Sequence, residues 1–163
     1  MSATEKGSIP KDKIMVREIV HVCVVVRDVE KTAKAFVERL GIGPFRIRVL
    51  KTPSSRASVR GEPVDYTLKF AHAKVGPIYL ELVETLEGKS IYQEFLKKHG
   101  EGIHHIGVPT PLPFKDELEK WEKLGIKPLQ VNKMEDPDEG WAYMDTQDLV
   151  GCILEILSFR RYQ

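Results

Sequence analysis

Apolar residues recur along this chain at two periods, one typical of helices and one typical of strands. The first helical stripe consists of Val29, Ala33, Phe36, Val37 and Leu40. Asp28 is the expected N-cap of this helix, and Gly41 is the expected residue after its C-terminus. A matching stripe consists of Phe114, Leu118, Trp121 and Leu124, and Gly125 follows it. The chain is therefore predicted to contain two amphipathic helices of the same design.

Short segments rich in β-branched, aliphatic and aromatic residues predict strands around both helices. In the first half these segments cover residues 21–26, 45–50, 66–70 and 80–83. In the second half they cover residues 105–108, 127–131, 141–145 and 154–157. Each half is thus predicted to be a strand, a helix and three further strands, a βαβββ unit, and the chain to be a duplication.

The spacing of particular residues supports this duplication. Gly41 follows His21 by 20 residues, and Gly125 follows His105 by the same 20 residues. Because each histidine begins an apolar strand and each glycine ends the next helix, the two pairs are expected at equivalent positions of the two units.

The final strand of each unit carries a glutamate, but at a different distance from the histidine. Glu81 follows His21 by 60 residues, whereas Glu155 follows His105 by 50. We assign the difference to a longer loop in the first unit, within residues 51–65.

A short helix is predicted between the two units. Ser90 and Gln93 form a capping box, Ile91 and Phe95 are expected to face inward, and Gly100 ends the helix. The predicted organisation is one compact domain with four parts: a flexible lead over residues 1–15, a first module over 16–88, a linker helix over 89–102 and a second module over 103–163.

The composition narrows the classes of partner. The chain has 25 Lys and Arg against 24 Asp and Glu, a net charge of +1, which gives no electrostatic reason to expect nucleic acid or an anionic membrane as partner. No apolar run approaches the roughly 20 residues of a membrane-spanning helix. Cys23 and Cys152 lie in apolar stretches and are expected to be free core residues, which favours a cytoplasmic location.

Four polar residues interrupt segments that are otherwise apolar on both faces. His21 begins one such strand, His105 begins its counterpart, and Glu81 and Glu155 lie within the two final strands. An isolated carboxylate buried there costs several kcal/mol or more, so it requires a cation, hydrogen bonds or a raised pKa.

Two histidines and two glutamates suit one divalent ion such as Zn²⁺, Co²⁺, Ni²⁺ or Mn²⁺. If a pseudo-two-fold axis relates the units, His21, Glu81, His105 and Glu155 converge on it and leave open coordination positions, as a catalytic site requires. A duplication that later lost its metal would leave the same pattern, and this alternative stays open.

Several stretches resemble the vicinal oxygen chelate superfamily, which includes glyoxalase I, methylmalonyl-CoA epimerase, extradiol dioxygenases and bleomycin-resistance proteins. The matching stretches are residues 19–28, 80–84, 102–107, 143–146 and 154–157, in family order. The resemblance implies an α+β fold in which two βαβββ modules pair into a cupped, open-barrel sheet. It is strongest for epimerase-like and glyoxalase-like members.

The resemblance also implies a function. Members of these two kinds abstract a proton next to a metal-bound carbonyl, and the carboxylate at the position of Glu155 is both ligand and base. We therefore expect an isomerase, epimerase or lyase acting on a small molecule, and a homodimer. Glu81 stands where the epimerases commonly carry glutamine, which favours the glyoxalase-like kind. The alternative is a protein of the bleomycin-resistance type that only sequesters a small molecule.

The sequence predicts the positions and roles of the remaining histidines and acidic residues less strongly. His104 and His105 are expected on opposite faces of one strand, with His104 turned away from the metal to a hydrogen bond or to the surface. His72 and His99 are expected at the surface. An epimerase needs a second acid or base, and Glu62 and Asp65 lie in the corresponding region, although Glu62 beside Pro63 is more typical of a loop.

Four further residues are candidates for substrate binding. Trp141 and Tyr143 alternate onto one face of a predicted strand and are candidate pocket walls, although core packing explains them equally well. Arg46 and Arg48 share a strand face and are candidate partners of a substrate carboxylate or phosphate, although a solvated strand face is the more common explanation of such a pair.

Overall fold

The structure is a computed structural model that describes residue 14 and residues 16–159. Apart from residue 14, the predicted lead over residues 1–15 lies outside the described residues, as do residues 160–163. The first half contains β1 (His21–Val25), α1 (Val29–Leu40), β2 (Arg46–Thr52), β3 (Ala57–Val59), β4 (Glu62–Pro63), β5 (Tyr66–Val75) and β6 (Ile78–Gly88). The second contains α2 (Ile91–His99), β7 (Gly102–Pro109), α3 (Phe114–Lys123), β8 (Pro128–Lys133), β9 (Gly140–Met144), α4 (Gln147–Val150) and β10 (Ile153–Ser158).

The helix ends form where the sequence predicts them. The Asp28 side chain accepts a hydrogen bond from the Lys31 N–H at the start of α1, and Gly41 follows the helix with φ of 68°. Ser90 caps α2 in the same way, accepting from the Gln93 N–H. The short helix α4 has no counterpart in the prediction. In the described part of the chain, no helix is both long and apolar enough to span a membrane.

All ten strands belong to one curled, open half-barrel sheet, in the order β2-β5-β6-β1-β7-β10-β9-β8-β3-β4. The four strands from β2 to β1 come from the first unit, and the four from β7 to β8 come from the second. The predicted α+β fold of two paired βαβββ units is confirmed. The two units join at a single seam between β1 and β7, which run antiparallel.

The register at this seam is itself two-fold symmetric. His21 lies opposite Gly107, and Cys23 lies opposite His105, so that Val22 and Ile106 face each other near the axis. The first histidine and the second therefore occupy equivalent places, each across from a small residue of the other unit.

The long insertion of the first unit differs from the predicted loop. Residues 57–63 form β3 and β4, and β3 pairs with β8 at the far edge of the second unit. The chain thus leaves the edge strand β2, joins the opposite edge of the sheet and returns to β5. An ion pair of 2.8 Å between Arg60 and Glu94 also ties this insertion to α2.

The two faces of the sheet have different partners. Helix α1 covers one face of the first unit around Val29, Leu82 and neighbouring residues, and α3 covers the equivalent face of the second unit. The opposite face, here called the cleft face, carries His21, Cys23 and Val25 of β1. Helix α2 lies on the cleft side, where Tyr92 is completely buried among residues of both units.

A close approach between the backbone of Gly88, at the end of β6, and that of Asp65 leads to a stability prediction. Gly88 has φ of 81°, and a Cβ there would lie 2.0 Å from the Asp65 carbonyl oxygen. Gly61 has a similar φ of 84°, but a Cβ would meet nothing within 4 Å. We expect Gly88→Ala to lower the free energy of unfolding by about 2–4 kcal/mol in urea titrations, and Gly61→Ala by only about 1–2 kcal/mol. Equal losses of unfolding free energy in the two variants would show that the backbone around Gly88 shifts to accept the added methyl group without cost.

Candidate metal centre

Four side chains from four neighbouring strands meet on the cleft face. They are His21 of β1, Glu81 of β6, His105 of β7 and Glu155 of β10, and all four are buried. The two histidine Nε2 atoms are 3.1 Å apart. Glu155 Oε2 lies 2.8 Å from His21 Nε2 and 3.3 Å from His105 Nε2, and Glu81 Oε2 lies 3.8 and 3.5 Å from the same two atoms. The structure thus brings together all four residues that were predicted from the sequence.

Two small residues make room for the imidazole rings. A Cβ at position 107 would lie 2.2 Å from His21 Cε1, so only glycine leaves space for that ring. Cys23 has the equivalent place opposite His105 and is completely buried. Both positions lie on the symmetric seam, and therefore the same strand pairing that joins the units also provides the space for the site.

The carboxylates change the acid–base properties of the imidazoles. Burial by itself lowers the pKa of His105, but the nearby negative charges of Glu155 and Glu81 outweigh burial and raise the pKa to about 9. The pKa of His21 is raised for the same balance of reasons, with Glu155 the stronger partner. Both imidazoles therefore hold a proton more tightly than a free histidine does.

The imidazoles act on the carboxylates in the opposite direction. Burial by itself raises the pKa of Glu155, but the charges of His105 and His21 overcome this effect and lower the pKa to about 2. The pKa of Glu81 is also lowered, with His21 the strongest opposing charge and hydrogen bonds to His105 and His72 adding to it. The centre consequently favours negative carboxylates and positive imidazoles, whose charges offset each other.

Three of the four residues, His21, Glu81 and His105, bring one ligand atom each close enough to share a divalent ion, and Glu155 lies beside them. Glu155 Oε2 is fully buried and lies close to both imidazoles, yet its geometry satisfies no hydrogen bond. Short contacts without hydrogen-bond angles are what lone pairs directed at a common third atom produce. The imidazole nitrogens and carboxylate oxygens are separated by 2.8–3.8 Å, a range that ligand atoms about 2.1 Å from one shared ion would occupy. An ion of charge +2 also replaces two protons without changing the net charge.

His104 lies elsewhere than the sequence predicts. Cys23 pairs with His105 and Val24 pairs with Ile103, so His104 is the extra residue of a β-bulge. Its ring stays on the cleft side, is buried, and lies with Nδ1 at 2.9 Å from His105 Nδ1. Burial, together with the charge of His105, lowers the pKa of His104 to about 3. The expectation that alternation turns His104 away is therefore wrong.

His72 is likewise more than a surface residue. Its Nε2 lies 2.7 Å from Glu81 Oε1, because the β5–β6 register places the two residues directly opposite each other. The side chain remains 38% exposed, so it links Glu81 to the solvent side of the cleft. His99 is exposed at the end of α2, as predicted.

The two aromatic candidates have different positions. Tyr143 is 1% exposed, and its ring lies 4.9 Å from that of His105, so it forms a wall behind this histidine. Its hydroxyl accepts a hydrogen bond from the Tyr92 hydroxyl. Trp141 is half-buried on the same face of β9. Tyr92 is missing from the sequence prediction, although its position three residues before Phe95 in the predicted linker helix was an available signal.

The two arginine candidates lie on the cleft side of the edge strand β2. Arg46 is opposite His72, and Arg48 is opposite Phe70, and directly opposed residues of antiparallel strands point to the same side. Both are exposed. Within the described residues, neither has a hydrogen bond or an ion pair to an acidic side chain.

The two candidates for a second acid or base lie outside the centre. Glu62 forms the outer strand β4 with Pro63, rather than a loop, and is exposed. Asp65 accepts a hydrogen bond of 2.7 Å from the Ser54 N–H and stabilises the return from the insertion. Neither contacts the four-residue centre.

Solved structures with the same fold include several epimerases. Methylmalonyl-CoA epimerase in complex with methylmalonyl-CoA and NH4+ is 18% identical, with 91% of this chain and 99% of that chain covered and a TM-score of 0.66. The epimerase from Mycobacterium tuberculosis is 16% identical, with 85% of both chains covered and a TM-score of 0.58. A hypothetical protein from Bacillus halodurans C-125 is 18% identical, with 88% and 94% covered and a TM-score of 0.59. At these identities the likeness establishes the fold.

Comparison of the sequence with known proteins identifies the family. A search of curated protein sequences gives no match. The sequence profile described as Glyoxalase/Bleomycin resistance protein/Dioxygenase superfamily matches residues 20–144, which include three of the four residues of the centre. The profile covers most of the chain, and the sheet has the fold of the solved structures above. The chain therefore belongs to the Glyoxalase/Bleomycin resistance protein/Dioxygenase superfamily.

Proposed function

We propose that this protein is a divalent-metal-dependent enzyme that moves a proton next to the carbonyl group of a small molecule, as an isomerase, epimerase or lyase. His21, Glu81, His105 and Glu155 would hold the ion, which would be Zn²⁺, Co²⁺, Ni²⁺ or Mn²⁺. The observation that carries this proposal is the buried Glu155 Oε2, which lies near two imidazoles without a hydrogen bond. A carboxylate in that state has a lone pair available for an ion or a proton.

Chemistry at this centre would divide between the ion and the chain. When bound, the ion supplies positive charge beside a substrate carbonyl, which favours loss of the neighbouring proton. Glu155 takes that proton on a carboxylate oxygen and returns it to carbon. Gly107 and Tyr143 flank Glu155 on the adjacent strands, so the carboxylate lies between the His21 ring, which occupies the space over Gly107, and a rigid aromatic wall.

The related structures support the class of reaction. Solved neighbours include epimerases whose complexes contain methylmalonyl-CoA or 2-nitronate-propionyl-CoA. The alternative function, sequestration of a small molecule, requires no buried base. Because this chain keeps two carboxylates and two imidazoles in one desolvated cluster, we favour catalysis.

We further propose a homodimer. Ile47 and Val49 point away from the cleft on the unpaired edge strand β2 and are 42% and 55% exposed. A second copy of the chain that covered this edge would remove both the apolar surface and the free backbone groups from water.

The metal proposal predicts that stability above pH 6.5 depends on pH in the metal-free protein and is nearly independent of pH in the metal-saturated protein. In the metal-free protein, stabilisation by protonated His105 is complete below its unfolded pKa near 6.5 and is lost as the pH rises through about 9. We expect the free energy of unfolding to fall over this range, by up to about 1.4 kcal/mol per pH unit and proton. Ni²⁺ binds imidazoles only in their neutral form. The apparent affinity of the protein for Ni²⁺ should therefore rise over the same pH range.

Urea titrations at pH 6.5, 8 and 9, with EDTA or with Ni²⁺, measure both trends. A Ni²⁺ affinity that does not change with pH would mean that the ion does not replace these protons. The exposed His99→Ala variant provides the control, since its stability should follow the wild-type pH profile.

The catalytic proposal predicts a specific defect for Glu155→Gln. The glutamine amide preserves the shape of the side chain but cannot act as a base. The rate of hydrogen exchange at the substrate carbon next to the carbonyl should therefore fall by about 100-fold or more. The measurement is deuterium incorporation from D₂O into acyl-CoA, hemithioacetal and keto-sugar candidates. Glu38→Gln, on the exposed side of α1, should exchange at the wild-type rate. An active Glu155→Gln protein would refute the assigned base.

The two unpaired arginines predict an anionic substrate. Removing Arg46 and Arg48 together should lower the preference for an anionic over a neutral substrate by about 10-fold or more, because each guanidinium forms charge-assisted hydrogen bonds. The measurement compares exchange rates of matched carboxylated and uncharged substrates. Lys51→Ala, on the opposite side of β2, should leave the preference unchanged. An unchanged preference in the double variant would assign the arginines to a solvated strand face.

A further inference from the structure

The ring of His104 lies beside the metal centre although no ligand role belongs to it. The β-bulge at this position leaves His104 without a partner in β1, and both it and His105 remain on the cleft side. Their Nδ1 atoms are 2.9 Å apart, which is a hydrogen bond between two buried rings. A single proton is shared by the two nitrogens, so one ring donates and the other accepts.

The direction of this hydrogen bond follows from the other side of His105. His105 Nε2 faces Glu155 Oε2 at 3.3 Å and Glu81 Oε2 at 3.5 Å, in the middle of the centre. A neutral imidazole that offers Nε2 as a lone pair must carry its proton on Nδ1. His105 Nδ1–H is then the donor, and His104 Nδ1 is the acceptor.

The aromatic rings around His104 shield its hydrogen bond with His105 from other hydrogen-bond partners. The ring is enclosed by Tyr92 and Phe95 of α2, with ring centroids at 5.0 and 5.1 Å, and by Tyr143 of β9 at 6.3 Å. Histidines that bind metals usually donate their second N–H to a carboxylate, a carbonyl or water. In this chain the bulge supplies a second imidazole for that purpose.

We propose that His104 is a positioning residue that holds His105 in the tautomer with the proton on Nδ1, so that Nε2 is presented to the ion as a lone pair. This inference rests on the proposed metal-dependent function. His104 itself contacts neither the ion nor the substrate. Its effect passes entirely through the hydrogen bond to His105.

The test compares two substitutions of His104 in the full chain, with Ni²⁺ as the probe. His104→Leu removes the acceptor, whereas His104→Asn restores one through its side-chain carbonyl oxygen. We expect His104→Leu to weaken Ni²⁺ binding by about 10–100-fold in calorimetric titrations, and His104→Asn to recover most of that loss. His99→Leu, a change of the same kind at an exposed histidine of α2, should bind as the wild type does.

A second readout reports the tautomer directly. In Zn²⁺-loaded protein with ¹⁵N-labelled histidine, long-range ¹H–¹⁵N correlations should show a protonated Nδ1 and an unprotonated Nε2 for His105. Circular dichroism and urea titration establish that each variant is folded. Because His104→Asn replaces the ring by a smaller acceptor, its recovery cannot arise from repacking of the aromatic enclosure.

The outcomes separate this inference from the metal proposal. Wild-type protein that binds neither Ni²⁺ nor Zn²⁺ would overturn both. Wild-type binding with undiminished affinity in His104→Leu, or a His105 protonated on Nε2 in the loaded protein, would overturn only the role of His104. Weak binding in both His104 variants would also overturn it, since the hydrogen-bond acceptor would then not be the cause.

Discussion

Two buried carboxylates between two buried imidazoles are the constraint on which the rest of this structure depends. Desolvating each carboxylate costs several kcal/mol, so Glu81 and Glu155 are tolerated only with matching positive charge. Protons on His21 and His105 supply that charge, as the raised pKa values of both imidazoles show. A single divalent ion would supply the same positive charge as these two protons. In the proposed metal centre, proton binding and metal binding would therefore compete to meet one electrostatic requirement.

The duplicated sheet brings these groups together through strand register. Parallel pairing sets Glu81 beside Cys23 in one unit and Glu155 beside Gly107 in the other. The antiparallel seam then sets each small residue against a histidine of the opposite unit. A slip by one residue at the seam would turn one histidine to the other face, so the register that joins the units also determines the site.

Local patterns in the sequence were sufficient for much of this arrangement. Helical spacing and caps such as Asp28 predict the helices, and a glutamate in an apolar strand predicts a ligand. Features that depend on pairing between distant segments were not predictable. The bulge at His104 breaks the alternation rule, the contact of His72 depends on the β5–β6 register, and the insertion forms β3 because the edge of β8 is available.

Folding stability alone is a weak explanation for four ionisable residues in this cluster. Replacing a buried ion pair by apolar residues of similar volume is often neutral or stabilising, whereas removing one partner alone is costly. Apolar contacts already join the units around the centre, where Cys23, Tyr92 and Tyr143 belong to one buried cluster. Four ionisable side chains at this seam are therefore expected to add little that leucine or valine would not provide for folding, which supports the proposed chemical role.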